Sequence, residues 1–276
     1  FYKLCDQYGI YIIDEANIET HGMGSVPYFK DTIPHPAYRS EWYAAHVDRI
    51  TRMVERDKNH PCVIGWSLGN ECGNGIVFHD EYKRLKEYDP SRFVQFEQAW
   101  EDWNTDIVCP MYPNMWKITE YAKSGKQRPF IMCEYAHAQG NSNGNFKDLW
   151  DVIYDSPNLQ GGFIWDFMDQ GFKMKTEPGD GRIYWTYNGK MGSYKWLEDR
   201  KGELNTGTDG LISANGIPKP HAYEVKKVYQ YIQFNAKDLS KGIVSIRNRY
   251  DFTNLNEYAF TWEVYKNGEK FSTGNF

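Results

Sequence analysis

From residue 1 to about residue 170, short apolar segments alternate with longer amphipathic segments, and this alternation constrains the fold more than any other feature. Continuous apolar runs rich in Val, Ile and Phe are typical of strands buried on both faces. Such runs occupy residues 10–14, 63–67, 93–96, 107–111, 130–133 and 162–165. Amphipathic patterns with helical spacing fill 40–57, 76–88, 114–124 and 145–155. The alternation predicts βαβ units and a parallel sheet.

Polar residues follow five of these apolar runs. They are Asp14-Glu15, Asn70-Glu71, Met111-Tyr112, Glu134-Tyr135 and Trp165-Asp166. Active sites of (β/α)8 barrels are built at the carboxyl ends of the strands, whereas an open doubly wound sheet binds its ligand at one switch point. Polar groups at five strand ends favour the barrel. With six strands counted, we predict an α/β fold, a (β/α)8 TIM barrel lacking its first two strands, which would precede Phe1.

The sequence pattern changes after residue 171. Residues 171–218 are rich in Gly, Asn, Asp and Tyr, which predicts a loop region at the rim of the site. One helix is predicted over 220–229. Strands are predicted over 242–249, 258–265 and 270–273, with a hairpin turn at Asn267-Gly268. The predicted domains are therefore a partial barrel over 1–230, containing strands three to eight, and the start of an all-β sandwich over 231–276.

Composition excludes several classes of protein. The net charge is −5, and Lys and Arg are scattered, so no basic face for nucleic acid is expected. No apolar run approaches the roughly 18 residues that a membrane span needs. Five cysteines without CxxC spacing predict free, mostly buried thiols. The chain opens in mid-pattern without Met, so we interpret it as a piece of a longer protein, whose compartment (cytoplasm or periplasm) stays open.

Two glutamates are the candidate catalytic residues. Glu71 and Glu134 each follow an apolar strand, where an ionisable residue is costly unless it has a partner or a chemical role. Cleavage of a glycosidic bond requires two carboxyl groups, one to protonate the leaving oxygen and one to attack or to activate water. The alternative is an ordinary pair of salt-bridged residues. Aromatic residues beside both glutamates favour the catalytic interpretation.

Five motifs in order carry a family resemblance. They are Asp14-Glu-Ala-Asn-Ile-Glu-Thr-His21, Trp66-Ser-Leu-Gly-Asn-Glu71, Cys109-Pro-Met-Tyr112, Cys133-Glu-Tyr-Ala-His137 and Gly161-Gly-Phe-Ile-Trp165-Asp. With them the chain resembles the β-galactosidases of glycoside hydrolase family 2 over residues 1 to about 170 and again near 209–230. The resemblance implies a retaining mechanism through a covalent galactosyl-enzyme. It makes Glu134 the nucleophile, after the seventh strand, and Glu71 the acid/base, after the fourth.

The resemblance also implies a galactose site lined by further residues. They are Asn70, Met111, Tyr112, His137, Trp165 and Asp209. Asn70 is expected to bind the 2-hydroxyl of the sugar, and Tyr112 to contact the nucleophile. His137 is expected to bind a galactose hydroxyl, and Trp165 to lie under the apolar face of the sugar. Without the motifs, each of these residues would more often be a core or capping residue.

The same resemblance implies two metal ions and an assembly. Family members bind Mg²⁺ with residues that match Glu19, His21 and Glu71. They also bind Na⁺, but here Thr206 stands in place of the family's Phe, and Asp209 in place of its Asn. The predicted sodium site is therefore incomplete. A homo-oligomeric full-length protein with a carbohydrate substrate is expected.

Three alternatives stay open at this point. β-Glucuronidase and β-mannosidase are sister activities within the family, although Cys133-Glu-Tyr-Ala-His137 favours galactose. A partial barrel with exposed edges could instead be a catalytically inactive, sugar-binding fragment. A metal-dependent hydrolase would lose all activity in chelator, whereas a glycosidase that Mg²⁺ only tunes would keep part of it.

Overall fold

The computed structural model of the protein describes residues 1–21, 35–138, 142–176, 180–186 and 208–276. Its contacts divide the chain into two compact units, Phe1–His221 and Ala222–Phe276. Within the described residues, every helix is too short or too polar to cross a lipid bilayer.

The first unit alternates helices and strands. Its helices are α1 (Tyr2–Tyr8), α2 (Ser40–Asp57), α3 (Ile76–Tyr88), α4 (Met115–Lys123) and α5 (Phe146–Tyr154). Its first five strands are β1 (Ile12–Glu15), β2 (Val63–Ser67), β3 (Phe93–Gln95), β4 (Phe130–Tyr135) and β5 (Leu159–Ile164). The predicted helices over 40–57, 76–88, 114–124 and 145–155 are confirmed, to within a residue at each end.

The strands pair in parallel and in chain order. β1 pairs with β2 and β2 with β3, while β4 pairs with β5. Residues 107–111 lie between these two groups and pair with β4 through isolated parallel bridges, Val108 to Phe130 and Met111 to Glu134. The prediction of a regular strand over 107–111 is wrong in this respect, because Pro110 has no N–H to complete the ladder. The parallel βαβ arrangement is confirmed.

Side chains of α2 and α3 form much of the core. Ile50, Met53 and Val54 recur at helical spacing on α2 and are buried, as is Phe78 on α3. The Phe78 ring stacks on Phe96, with ring centroids 4.2 Å apart. Full burial of one such side chain stabilises a fold by about 1.5–3 kcal/mol. This packing fixes β2 and β3, the strands that precede the candidate site.

The ends of some elements differ from their prediction. Ser40 is the first residue of α2, and Arg39 takes the N-cap position. Asn114 does cap α4, since its side chain accepts a hydrogen bond from the Lys117 N–H at 3.0 Å. Seven residues are too few for a clear periodicity, so α1 was not predicted. All five cysteines are free thiols, four of them buried.

Part of the segment 171–218, predicted as a loop region, is an antiparallel hairpin. Its strands are β6 (Phe172–Lys175) and β7 (Ile183–Thr186). The predicted loop is wrong over these residues, where apolar side chains are interspersed with Lys and polar residues. Residues 187–207 lie outside the described part of the chain.

The second unit begins within α6 (Pro220–Val228) and otherwise consists largely of hairpins. β8 (Ile232–Asp238) pairs with β9 (Ile243–Asn248), and β10 (Thr261–Lys266) with β11 (Glu269–Asn275), both antiparallel. The predicted Asn-Gly turn is confirmed. Asn267 has φ 51° and Gly268 has φ 87°, the left-handed conformation that a two-residue type I′ turn requires at both positions. The sandwich and the domain boundary at residue 230 stay predictions.

Candidate active site

The two candidate glutamates lie at one end of the parallel strands. Glu71 comes four residues after the last residue of β2, and Glu134 is the penultimate residue of β4. Burial and, to a smaller extent, the negative charge of Glu71 raise the pKa of Glu134. Glu134 is also in contact with Tyr112, whose hydroxyl donates a hydrogen bond to Glu134 Oε2 at 2.5 Å. Both predicted glutamates therefore lie at the carboxyl ends of parallel strands, and Tyr112 is bonded to Glu134.

Backbone strain is concentrated at the same strand ends. Glu71 has φ 42°, Tyr112 φ 43° and Ala136 φ 53°, all in the left-handed region. This conformation is costly for residues with a Cβ, and it persists only where the surroundings over-determine it, most often at functional sites. Of the seven non-glycine residues with positive φ in the described part of the chain, these three lie at the ends of β2, of the 107–111 segment and of β4, which makes this edge a candidate functional site.

Opposing effects set the ionisation of Glu134. Burial is the largest, and together with the charge of Glu71 it raises the pKa of Glu134 to about 7. The hydrogen bond from Tyr112 acts in the opposite direction, because it stabilises the carboxylate. Tyr112 therefore both orients this carboxyl group and favours its charged form.

The carboxyl group of Glu71 has a different environment. Burial raises its pKa, and the charge of Glu19 raises it further, whereas nearby His21 lowers it. His21 Nδ1 lies 2.5 Å from Glu71 Oε2. A carboxyl group with a raised pKa is suited to hold and release a proton.

One acidic residue near Glu71 was missed by the sequence analysis. Glu97 is 6% exposed, and its Oε1 accepts a hydrogen bond from the backbone N–H of Glu71 at 2.7 Å. Burial raises the pKa of Glu97 to about 8. It comes two residues after the end of β3, so the signal that identified Glu71 and Glu134, an acid just after an apolar strand, was present here too.

Glu19, His21 and Glu71 form a candidate cation site. Each offers one ligand atom, and these atoms lie within 4.8 Å of one another. A parallel bridge between Glu19 and Asn70 holds the loop that carries Glu19 and His21 against the end of β2. Two carboxylate oxygens and one imidazole nitrogen fit a Mg²⁺ ion that keeps several waters. The three residues predicted to bind Mg²⁺ therefore do lie together.

Four of the predicted sugar-binding residues lie beside the two glutamates or beside a residue that contacts them. The Asn70 side chain donates to Glu19 Oε2 at 2.5 Å, and half-buried Met111 forms a backbone bridge with Glu134. The rings of Tyr112 and His137 meet edge to face, with centroids 5.7 Å apart. The structure thus joins Met111, Tyr112 and His137 to the Glu134 side of the site, and Asn70 to the Glu71 side.

Two more of the predicted residues lie at the same edge. Asp209 is buried, and its Oδ2 lies 3.5 Å from His137 Nε2. Trp165 directly follows β5 and is 39% exposed. Its backbone N–H donates a hydrogen bond to the Tyr135 carbonyl. Thr206, the other residue of the predicted sodium site, lies outside the described residues.

The model of the family "Glycosyl hydrolases family 2, TIM barrel domain" matches residues 1–234. The chain belongs to glycosyl hydrolase family 2. Its first unit is therefore an α/β TIM-barrel fold, as the sequence predicted. A second family model, "Beta-galactosidase, domain 4", matches residues 244–276 of this family 2 chain.

Curated relatives of the family 2 chain are similar over almost all of its length. A protein named Beta-galactosidase from Alteromonas mediterranea is 40% identical over 289 residues, which cover 99% of this chain. Proteins of the same name from Priestia megaterium and Klebsiella pneumoniae are 42% and 41% identical and cover 98% and 100% of it. The chain spans 26% of the length of each of these relatives.

Solved structures support the fold. A β-glucuronidase from Faecalibacterium prausnitzii superposes with a TM-score of 0.54 at 20% identity, over 82% of this chain and 40% of that one. A glycosyl hydrolase family 2 member from Bacteroides cellulosilyticus has a TM-score of 0.53 at 18% identity, over 99% of this chain and 34% of that one. At these identities the likeness establishes the architecture alone.

Proposed function

We propose that this chain carries the catalytic site of a retaining β-galactosidase, which cleaves terminal non-reducing β-D-galactosides of the lactose type or in galactose-containing glycans. The observation that carries the proposal is the position of two carboxyl groups, Glu71 and Glu134, at the carboxyl ends of parallel strands, with Glu134 held by the hydroxyl of Tyr112. Three relatives named Beta-galactosidase, at 40–42% identity, support galactose as the sugar.

The two glutamates take different roles in a double displacement. Glu134, as the carboxylate, attacks the anomeric carbon and forms a glycosyl ester while the bond to the leaving oxygen breaks. Glu71 gives its proton to that oxygen and afterwards takes one from the water that releases galactose. Retention requires the two carboxyl groups to lie about 5–5.5 Å apart.

The neighbouring residues are proposed to hold the sugar. Tyr112 keeps the Glu134 carboxylate in its attacking orientation through their 2.5 Å hydrogen bond. Asn70, next to the acid/base, binds the 2-hydroxyl, and His137, paired with Asp209, binds another hydroxyl. Trp165 has enough exposed ring to lie under the apolar face of galactose.

Glu19, His21 and Glu71 are proposed to hold Mg²⁺. A bound Mg²⁺ would supply a fixed positive charge beside the acid/base, which tunes the pKa of the carboxyl group. The imidazole of His21 lies against Glu71. The sodium site stays a prediction, because only Asp209 of its two residues here belongs to the described part of the chain.

The finer architecture is also a proposal. We expect two barrel strands to precede Phe1, so that β2 is the fourth strand of the closed barrel and β4 the seventh. We expect the hairpins after residue 231 to begin a β-sandwich, and the full-length protein to be a homo-oligomer. The two antiparallel hairpins and the "Beta-galactosidase, domain 4" match over 244–276 support a separate β domain.

Release of nitrophenol from its β-galactoside, β-glucuronide and β-mannoside by the intact protein tests the proposal. We expect the galactoside to have the highest kcat/KM by a wide margin. A preference for the glucuronide or mannoside would assign the sister activity. Hydrolysis of none of the three by folded protein would leave the alternative of an inactive, sugar-binding barrel.

A further inference from the structure

Glu97 makes two hydrogen bonds, and one of them reaches the candidate acid/base. Its Oε1 accepts from the Glu71 N–H at 2.7 Å, and its Oε2 accepts from Gln98 Nε2 at 2.6 Å. Neither partner is positively charged. Burial of a carboxyl group away from any cation is unfavourable unless its hydrogen bonds compensate for the lost solvation. An apolar side chain at this position would avoid that cost. The presence of a buried glutamate in contact with Glu71 therefore needs an explanation.

The backbone of Glu71 is in the conformation that such a contact would stabilise. Its φ of 42° is left-handed, which a residue with a side chain adopts only under constraint. The Glu71 carbonyl is approached by the Thr20 hydroxyl at 3.5 Å, the upper limit of a hydrogen bond. The bond from the Glu71 N–H to Glu97 is far shorter, at 2.7 Å. Of these two contacts, Glu97 is the stronger constraint.

Glu97 is itself rigidly anchored. It begins a 3₁₀ turn, Glu97–Ala99, directly after Phe96, whose ring is buried against Phe78. The N–H of Phe96 donates to Thr105 Oγ1 at 3.1 Å, which fixes the backbone from the other side. A carboxyl group on such a support can hold Glu71 at a defined place in the site.

We infer that Glu97 is a positioning residue for the acid/base Glu71, which it holds in its strained conformation by accepting the Glu71 N–H. The inference rests on the proposed function. If the bond is lost, residues 70–72 can relax, and the Glu71 carboxyl group moves away from the leaving oxygen. The step that suffers is proton donation, whereas attack by Glu134 is unaffected.

Two substrates separate proton donation from attack. The phenol of 2,4-dinitrophenyl β-galactoside leaves without protonation, whereas the phenol of phenyl β-galactoside needs a proton. In the full chain with Mg²⁺ in excess, Glu97→Met should lower kcat/KM for the phenyl substrate by about 10²-fold, as expected when a catalytic group is displaced by about 1 Å. The value for the dinitrophenyl substrate should stay close to that of the parent protein. Glu97→Gln keeps an acceptor oxygen and should behave like the parent protein.

Controls make each outcome decisive. Glu71→Ala should give the same leaving-group dependence, and Glu81→Met, which removes a buried carboxyl group bound to Arg84 on α3, should not. If Glu97→Met is recovered unfolded, Glu97→Asp replaces it, since its shorter side chain cannot reach the Glu71 N–H. Equal losses on both substrates, or no loss, in a folded Glu97 variant overturn the inference. Failure of the parent protein to cleave either substrate would instead overturn the proposed function, and this inference with it.

Discussion

The acid/base side and the nucleophile side of the site are held in different ways. Glu71 is fixed through its backbone, by Glu97, while its carboxyl group faces His21 and Glu19. Glu134 is fixed through its carboxyl group, by the hydroxyl of Tyr112. A group that gives and takes a proton has to change its charge during turnover, whereas a nucleophile has to attack in one orientation and as the anion. The contact at the Glu71 backbone therefore suits a proton donor, and the contact at the Glu134 carboxyl group suits a nucleophile, as proposed.

Replacement of the proposed nucleophile, Glu134, should have the largest effect on activity. We expect Glu134→Gln to lower kcat by several orders of magnitude for every substrate, because no covalent intermediate can form. Steady-state rates with nitrophenyl and dinitrophenyl β-galactosides measure this. Glu120→Gln, on the exposed surface of α4, is the matched control and should leave the rate unchanged. A Glu134→Gln variant with near-normal rates would refute the assignment.

Replacement of the acid/base should have a smaller and selective effect. Glu71→Ala should cost about 10²–10⁴-fold in kcat/KM for substrates whose leaving group needs a proton. Substrates with good leaving groups should lose much less. Azide, which needs no deprotonation to attack the intermediate, should restore part of the turnover and give a galactosyl azide. An equal loss on all substrates would show that Glu71 is not the proton donor.

Removal of the Tyr112 hydroxyl tests how the carboxyl group of Glu134 is held. Its hydrogen bond lowers the pKa of Glu134, so Tyr112→Phe should raise this pKa. Because Glu134 must be ionised to attack, the acid limb of the kcat/KM profile should move to higher pH. The loss at neutral pH should be about 10–100-fold, as for a hydrogen bond to a charged group worth 1.5–3 kcal/mol. Tyr121→Phe, whose lost hydroxyl bonds the Arg128 carbonyl, should leave the profile in place.

Removal of the proposed Mg²⁺ should have the smallest effect on activity. Chelator should lower activity without abolishing it, since the proposed chemistry is carried out by the two glutamates. His21→Ala or Glu19→Gln should raise the Mg²⁺ concentration needed for half-maximal activity, as measured by titration of chelated protein. Complete loss in chelator would favour the alternative of a metal-dependent hydrolase.

The sequence predicted most of the site because its chemistry follows strands that periodicity can locate. Glu71 and Glu134 each follow an apolar run, and the parallel arrangement of those runs requires that the ends meet. The family motifs added the contact between Tyr112 and Glu134, which the structure contains. They likewise placed Glu19 and His21 beside Glu71.

The remaining features depend on contacts that periodicity does not reveal. Glu97 lies in a connection too short for a helix, and its bond to Glu71 joins two segments that are separate in sequence. The interruption at Pro110 follows from a single missing N–H within an otherwise strand-like run. α1 is too short for a periodic signal. The misses at Glu97 and Pro110 are therefore hydrogen-bonding effects, whereas α1 was missed because of its length.

Covalent trapping tests the central claim most directly. Incubation of the intact protein with a 2-deoxy-2-fluoro-β-galactoside that carries a good leaving group should inactivate it and add one fluorogalactosyl group. Peptide mapping should locate that group on Glu134. A label on Glu71 or on any other residue would contradict the account.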